Sequence, residues 1–520
     1  MSVAAARRTD GSEQAHERTL AHNTIWNLSG YAAPVLAALI AIPILVRSLG
    51  TAQYGALTIA WGVVGYFGIF DMGLDNALAK LVSERVGIGG NAEKEINAFF
   101  YTAFLLLLIS SVLGGVLVFA FSRPLSYEWL KIPLELKSET TTVLRIFAVA
   151  LPFVVSVAGF RGILYAYQRF DLLNKVQIAA GAFSFLAPLA VLPFSHRLVP
   201  VVAVLAIGRA LAWLAYGILC FHVAPDLRRR VSGGSECVRE LVKFSGWISI
   251  SNIAEPIFLY SDRLILGALL SMSAVAFYAI PFDLVTRLWI VPDALNSALF
   301  PTYVISLRDG GQRAMMLLEK AGRYLFPTMF ALALFIVLFA KDLLTIWLGP
   351  AFAAHSAVVM KWIALGVFFS SIARIPWTVL VAAHRPDLPA KLVLFEAPVY
   401  IVLLCVLVKV AGLPGAALAW TLRAGWSCCI LHAVTWYVLP GSQKAIKKNA
   451  LLLLLATASF VVTMFFSAGL AARIAYFVAL LSVEVLLTWR YLLSPEERVI
   501  GTGFVLRLLG KSEKWISATM

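Results

Sequence analysis

The sequence predicts an all-α polytopic membrane protein, and two observations carry that prediction. Hydrophobic residues make up 61% of the 520 and charged residues 14%. Apolar runs of about 20 residues recur from Thr24 to Tyr491, each long enough to cross a bilayer as a helix. About fourteen transmembrane helices follow, at 24–46, 53–74, 97–121, 142–165, 173–195, 199–222, 244–270, 274–300, 324–348, 359–382, 392–411, 413–437, 450–469 and 473–492. The first run is too long for a signal peptide, and Asp10, Glu13 and Glu17 precede it, so it is kept as helix one. Loops are short, apart from 122–141 and the interval around Leu348-Gly349-Pro350, and neither is large enough for a catalytic domain.

The formal net charge of +15 would suggest nucleic acid until the cations are placed along the chain. Intervals on the side of the N-tail hold about three times as many Lys and Arg as the opposite intervals, which sets both termini in the cytoplasm. The basic surplus, including Arg228-Arg229-Arg230 and Lys444, Lys447 and Lys448, is therefore topological, and no nucleic-acid partner is expected. The five cysteines (Cys220, Cys237, Cys405, Cys428, Cys429) lie in spans or cytoplasmic intervals, so no disulfide framework is expected.

A repeat organises the spans. At an offset of 221 residues the second span aligns with the eighth: Gly73-Leu74-Asp75-Asn76-Ala77-Leu78 faces Ala294-Leu295-Asn296-Ser297-Ala298-Leu299. Ser29-Gly30-Tyr31 resembles Ser245-Gly246-Trp247 at an offset of 216, and Pro34 and Pro256 lie in the same two corresponding helices. Six spans separate the copies, so they point the same way. Two parallel-repeat six-helix bundles around a central cavity are expected, with two further helices at the end. The expected divisions are an N-tail at 1–23, an N-terminal bundle at 24–222 and a basic linker at 223–243. A C-terminal bundle at 244–437, two extra helices at 438–492 and a C-tail at 493–520 complete them.

Arginines fall within the apolar stretches at Arg145, Arg161, Arg209, Arg263, Arg287, Arg374 and Arg423. Each costs about 2.5–3.5 kcal/mol at a bilayer centre on insertion scales, so several in one chain point to a wet, anion-accepting cavity. Rise per residue sets Arg263 about 10 Å and Arg287 about 20 Å in from the outer ends of their spans. Arg209 and Arg423 fall near mid-membrane, and Arg374 and Arg161 nearer the cytoplasm. Guanidinium meets phosphate oxygens bidentately and keeps its charge in dry surroundings, which suits a diphosphate. Arg263, Arg287, Arg209, Arg423 and Arg374 are the candidate substrate-binding cations, while Arg145 is placed to snorkel to the interface. Asp283 and Arg287 stand four apart, a spacing that equally allows them to pair within one helix.

The acids in or at the ends of the spans include Asp71, Asp75, Glu255, Asp262, Asp283, Asp293, Glu396 and Glu484. Asp262, Glu255, Asp283 and Glu396 are candidates for coupling transport to H⁺ or Na⁺; the competing reading is that they neutralise arginines across the bundle. Asp71 and Asp75 fit an anchor at the cytoplasmic end of span two. No G-x-x-x-x-G-K-[ST], no H-E-x-x-H and no metal-spaced Cys/His cluster occurs, and no cofactor is expected. His432 reads as packed within its span.

Leu49-Gly50-Thr51-Ala52-Gln53-Tyr54-Gly55 and Phe70-Asp71-Met72-Gly73-Leu74-Asp75-Asn76-Ala77 resemble the polysaccharide flippases of the multidrug/oligosaccharidyl-lipid/polysaccharide exporter superfamily. Ser261-Asp262-Arg263-Leu264-Ile265-Leu266-Gly267, Trp347-Leu348-Gly349-Pro350-Ala351-Phe352 and Gly412-Leu413-Pro414-Gly415-Ala416-Ala417 continue the resemblance along nearly the whole chain. It implies a transporter rather than an enzyme, placed in the bacterial inner membrane. By alternating access it would carry an undecaprenyl-diphosphate-linked oligosaccharide from the cytoplasmic to the periplasmic leaflet for cell-surface polysaccharide synthesis. Membrane lipids, a polysaccharide polymerase and a chain-length regulator are the partners it suggests. Two other readings stand beside it: an ion-coupled multidrug exporter of the same superfamily, and a membrane glycan polymerase or ligase using loop residues such as Arg123, Glu128, Lys131 and Glu135.

Overall fold

The computed structural model describes residues 34–66, 73–86, 91–228, 235–308, 311–439, 441–466, 468–492 and 498. Among them ten helices are long and apolar enough to cross a membrane, and Pro34–Leu49 is a shorter apolar helix. The chain is an all-helical, multi-pass membrane protein. Helices suit this composition because each closes its own backbone hydrogen bonds, which hydrocarbon cannot supply. The N-tail, the C-tail apart from residue 498, Ser29-Gly30-Tyr31 and Asp71 lie outside the described residues, as do the side chains of residues 242–255, Glu255 among them.

In chain order the helices are α1 (Pro34–Leu49), α2 (Thr51–Tyr66), α3 (Leu74–Ser83), α4 (Asn91–Pro124), α5 (Leu134–Ala166), α6 (Phe170–Val191) and α7 (Leu198–Val223). Then come α8 (Ser235–Leu269), α9 (Met272–Val285), α10 (Ile290–Arg308), α11 (Gln312–Leu348) and α12 (Pro350–Ala382). Last are α13 (Asp387–Val438), α14 (Gln443–Met464) and α15 (Leu470–Leu487).

Spans eleven and twelve run on as α13, but Gly412 inside it is non-helical at φ 63° and ψ −137°. The sequence reading put its one-residue gap at the same glycine. A Cβ on Gly415 would lie 2.0 Å from the carbonyl oxygen of Leu407, so the chain doubles back tightly here and only glycine fits. Gly415→Ala is expected to cost about 1–3 kcal/mol through overpacking, seen as a lowered melting temperature in detergent. An unchanged melting temperature would show that the turn can open without loss.

One turn occurs twice. After α5 and after α12 the chain leaves the helix through a non-glycine residue at positive φ, Gln168 at 55° and His384 at 59°. The next amide reaches back to the carbonyl five residues earlier: Arg169 to Leu164 at 2.9 Å, and Arg385 to Leu380 at 3.0 Å. Each arginine then clasps the aspartate two residues on, with Nε to Oδ1 at 2.9 Å for Arg169–Asp171 and 3.0 Å for Arg385–Asp387. A side chain at positive φ is strained, and the clasp holds it there. Every member of this motif recurs at an offset of 216 residues, as do both ends of α5 and α12. The starts of α2 and α9, and of α4 and α11, stand 221 apart. A five-residue π-helical segment, Leu125–Trp129, lies between α4 and α5 and matches the size of that change in offset.

By packing, the chain forms two compact units, residues 1–280 with 393–416, and residues 281–392 with 417–520. Packing thus groups the helices differently from the sequence repeat, since α8 lies against α2, α3 and α4. In the first unit small residues let helices approach closely: a Cβ on Gly115 would meet the Ala148 carbonyl oxygen at 2.7 Å, and one on Gly162 the Asp75 oxygen at 2.9 Å. Phe100, Phe104, Phe160 and Trp213 fill the space beside these contacts, and the Trp213 indole donates to Ser156 Oγ at 2.8 Å. In the second unit Phe330, Phe368 and Phe460 form the core of α11, α12 and α14. Arg473 ties α15 to α11 by donating to the Leu338 carbonyl at 3.1 Å and to both carboxylate oxygens of Asp342.

Candidate functional site

In the second unit the site begins with a break in a helix. Pro292 has no amide hydrogen and its ring crowds the carbonyl four residues back, which accounts for the 3-10 turn at Thr286–Trp289 that replaces α-helix before α10. This turn carries Arg287, exposed, and Trp289, half-buried. Asp283, which the i, i+4 spacing allowed to pair with Arg287, is half-buried near the end of α9, just before this turn.

Trp289 is fixed at both ends of its ring system. Its Nε1 donates to Ser370 Oγ on α12 at 2.9 Å, and its ring lies 6.2 Å from that of Trp420 on α13. Arg374, one turn beyond Ser370, sets its guanidinium 4.7 Å over the Trp289 ring. Arg423, one turn beyond Trp420, lies 5.6 Å over that second ring. Trp420 is fully buried, with Phe282 edge-on at 5.2 Å. Gly366 makes room for it: a Cβ there would come within 2.4 Å of the indole. The result is a continuous row, Arg374–Trp289–Trp420–Arg423. Cation–π contact holds each guanidinium against its indole, at about 0.5–2 kcal/mol per contact. Arg374 also donates through Nη1 to Asp293 Oδ1, so this candidate cation carries an acidic partner that the sequence reading did not assign to it.

In the first unit Asp262 is wholly buried in α8 and accepts hydrogen bonds from two tyrosines, Tyr278 of α9 and Tyr400 of α13, the latter at 2.8 Å. Phe258 packs edge-on against Tyr400 at 5.7 Å. Arg263 is 4% exposed, lies 5.4 Å over Tyr260, and rests its stem by Gly62 of α2, where a Cβ would be 3.7 Å from its Cδ. Glu396 is fully buried one turn before Tyr400. Arg209 is exposed on α7, away from these residues in sequence and with no ring or carboxylate contact among the described residues. Arg145 is exposed, with Phe119 at 5.1 Å and Ser122 Oγ at 3.4 Å, and Arg161 is half-buried beside Tyr165.

Of the five predicted substrate cations, the fold therefore joins Arg374 and Arg423 through indoles and puts Arg287 in the same turn as one of them. Trp289, Trp420, Ser370, Tyr278 and Tyr400 were missed. Trp420 and Arg423 at i, i+3 were readable as a pair from helical spacing; the contacts across helices were not.

The family profile described as polysaccharide biosynthesis protein matches residues 20–305. The chain belongs to this family. Relatives of the polysaccharide biosynthesis protein include a Shigella flexneri protein named as a candidate O-antigen transporter, 28% identical over 404 residues that span 77% of this chain and 94% of the relative. Another is the uncharacterized membrane protein EpsK of Bacillus subtilis (strain 168), 23% identical over 404 residues, 76% of this chain and 78% of EpsK. Two solved structures share the fold. An inward-facing multidrug resistance MATE family transporter of the MOP superfamily aligns with a TM-score of 0.66 at 14% identity, covering 82% of this chain and 98% of its own. The lipid II flippase MurJ in an inward closed conformation aligns at 0.63 and 14%, covering 94% and 99%. The expectation of a transporter family rather than an enzyme agrees with these relatives.

Proposed function

We propose that this polysaccharide biosynthesis protein is a flippase for an undecaprenyl-diphosphate-linked oligosaccharide, moving it from the cytoplasmic to the periplasmic leaflet of a bacterial inner membrane. The observation that carries the reading is the Arg374–Trp289–Trp420–Arg423 row, in which two guanidiniums lie over indoles inside membrane-spanning helices. A guanidinium meets phosphate oxygens through parallel N–H donors, so these two arginines are the proposed donors to an anionic headgroup passing along the row. Fourteen spans in two parallel six-helix halves, both termini cytoplasmic, give the alternating-access frame. The turn repeated at Gln168 and His384 supports that parallel arrangement.

The polar headgroup would travel through a cationic cavity that Arg263, Arg287 and Arg209 also serve, while the polyprenyl chain stays in lipid. Asp262, Glu255, Asp283 and Glu396 are the groups proposed for H⁺ or Na⁺ coupling, and a polysaccharide polymerase with its chain-length regulator would act on the product outside. The O-antigen named for the Shigella relative fits this substrate class. The multidrug-exporter reading predicts instead a site dominated by acids. Reconstitution in vesicles separates the two. The purified protein should move a fluorescent undecaprenyl-diphosphate oligosaccharide between leaflets and leave cationic drugs behind. Drug efflux without glycolipid movement would overturn the flippase reading.

A further inference from the structure

Resting on that reading, we infer that Asp293 is the resident counter-ion of the Arg374 site. Its carboxylate holds the guanidinium edge until a diphosphate displaces it. The guanidinium face is committed to Trp289 at 4.7 Å, and Trp289 is held in turn by Ser370 and Trp420. Only the edge is exchangeable, and among the described residues it meets Asp293 through a single nitrogen, Nη1. Carboxylate and phosphate both offer oxygens in the guanidinium plane, so one replaces the other without moving the arginine.

Exposure separates this pair from a fixed one. The side chains of Arg374 and Asp293 are 31% and 52% exposed. Arg473 and Asp342, at 16% and 37%, are joined by two nitrogens and anchored to the Leu338 carbonyl as well, which makes that pair a brace. A part-exposed single-nitrogen pair is weak, so an anion of higher charge displaces it.

Two consequences follow for substrate choice and for turnover. An anion of low charge competes poorly with Asp293, whereas a diphosphate displaces it, so Asp293 sets the site against monophosphates. After translocation the returning carboxylate drives the headgroup off. Asp293 is thus a positioning and specificity residue that acts through Arg374.

The test measures binding of inorganic pyrophosphate and inorganic phosphate to the full chain in nanodiscs by titration calorimetry, alongside glycolipid flipping in vesicles. Asp293→Asn should bind pyrophosphate about tenfold more tightly, discriminate less against phosphate, and flip more slowly because release is slower. Asp293→Ser, smaller and equally uncharged, should do the same, which distinguishes charge from shape. Unchanged or weaker pyrophosphate binding in both variants, with the wild type binding normally, would overturn the counter-ion role and leave the flippase reading intact. If the wild type binds no pyrophosphate, the guanidinium row does not hold a diphosphate and both inferences fall together.

Discussion

Replacing both Arg374 and Arg423 by alanine is expected to lower glycolipid flipping at least about a hundredfold, with the protein still folded and inserted. The magnitude follows from two charge-assisted hydrogen-bonding groups lost from one headgroup, at roughly 1.5–3 kcal/mol each. The structural cost is smaller, because Arg374 is part-exposed and the cation–π contacts contribute about 1 kcal/mol each. Lysine at both positions should restore only part of the rate. An ammonium keeps the charge but offers no planar pair of donors. Flipping rates in vesicles, normalised to inserted protein and compared with melting temperature, read the result. Wild-type flipping by the double alanine variant would remove the row from the mechanism and return attention to Arg263, Arg287 and Arg209.

The helices were legible in the sequence and their side-chain pairings were not. Apolar length alone placed span six at 199–222, where α7 runs Leu198–Val223, and set the break of α13 at Gly412. These features depend on local chemistry: hydrophobic length, and a glycine tolerated at positive φ. Span two at 53–74 covers α2 and ends beside Gly73, residues 67–72 lying outside the described residues. Gly73 adopts a left-handed conformation at φ 66° and starts α3, a local signal that an apolar average conceals. The pairing of Arg374 with Asp293 joins residues 81 apart, and that of Arg473 with Asp342 joins residues 131 apart. Helical periodicity says which face a residue occupies on its own helix but not which neighbour that face meets. Spacing alone left Arg287 between a cavity role and a pair with Asp283, and Pro292, visible in the sequence, already argued against regular α-helix across that turn.

Asp262→Leu is expected to destabilise the protein by about 2–6 kcal/mol, while Asp262→Asn stays near the wild-type melting temperature. Asp262 has no solvent contact and is an acceptor for Tyr278 and Tyr400 together. Leucine deprives both buried hydroxyls of that acceptor, and each loss costs about 1–3 kcal/mol. Asparagine keeps one oxygen for one tyrosine, and its amide can donate to the hydroxyl of the other, so the cluster persists without its charge. This makes the asparagine variant the informative one for transport. If Asp262 couples flipping to a cation gradient, Asp262→Asn should fold normally, retain diphosphate binding, and lose the response of flipping to an imposed H⁺ or Na⁺ gradient. A folded Asp262→Asn protein with an undiminished gradient response would assign the tyrosine–aspartate cluster to packing of α8, α9 and α13 alone, leaving Glu396 as the buried acid to test next.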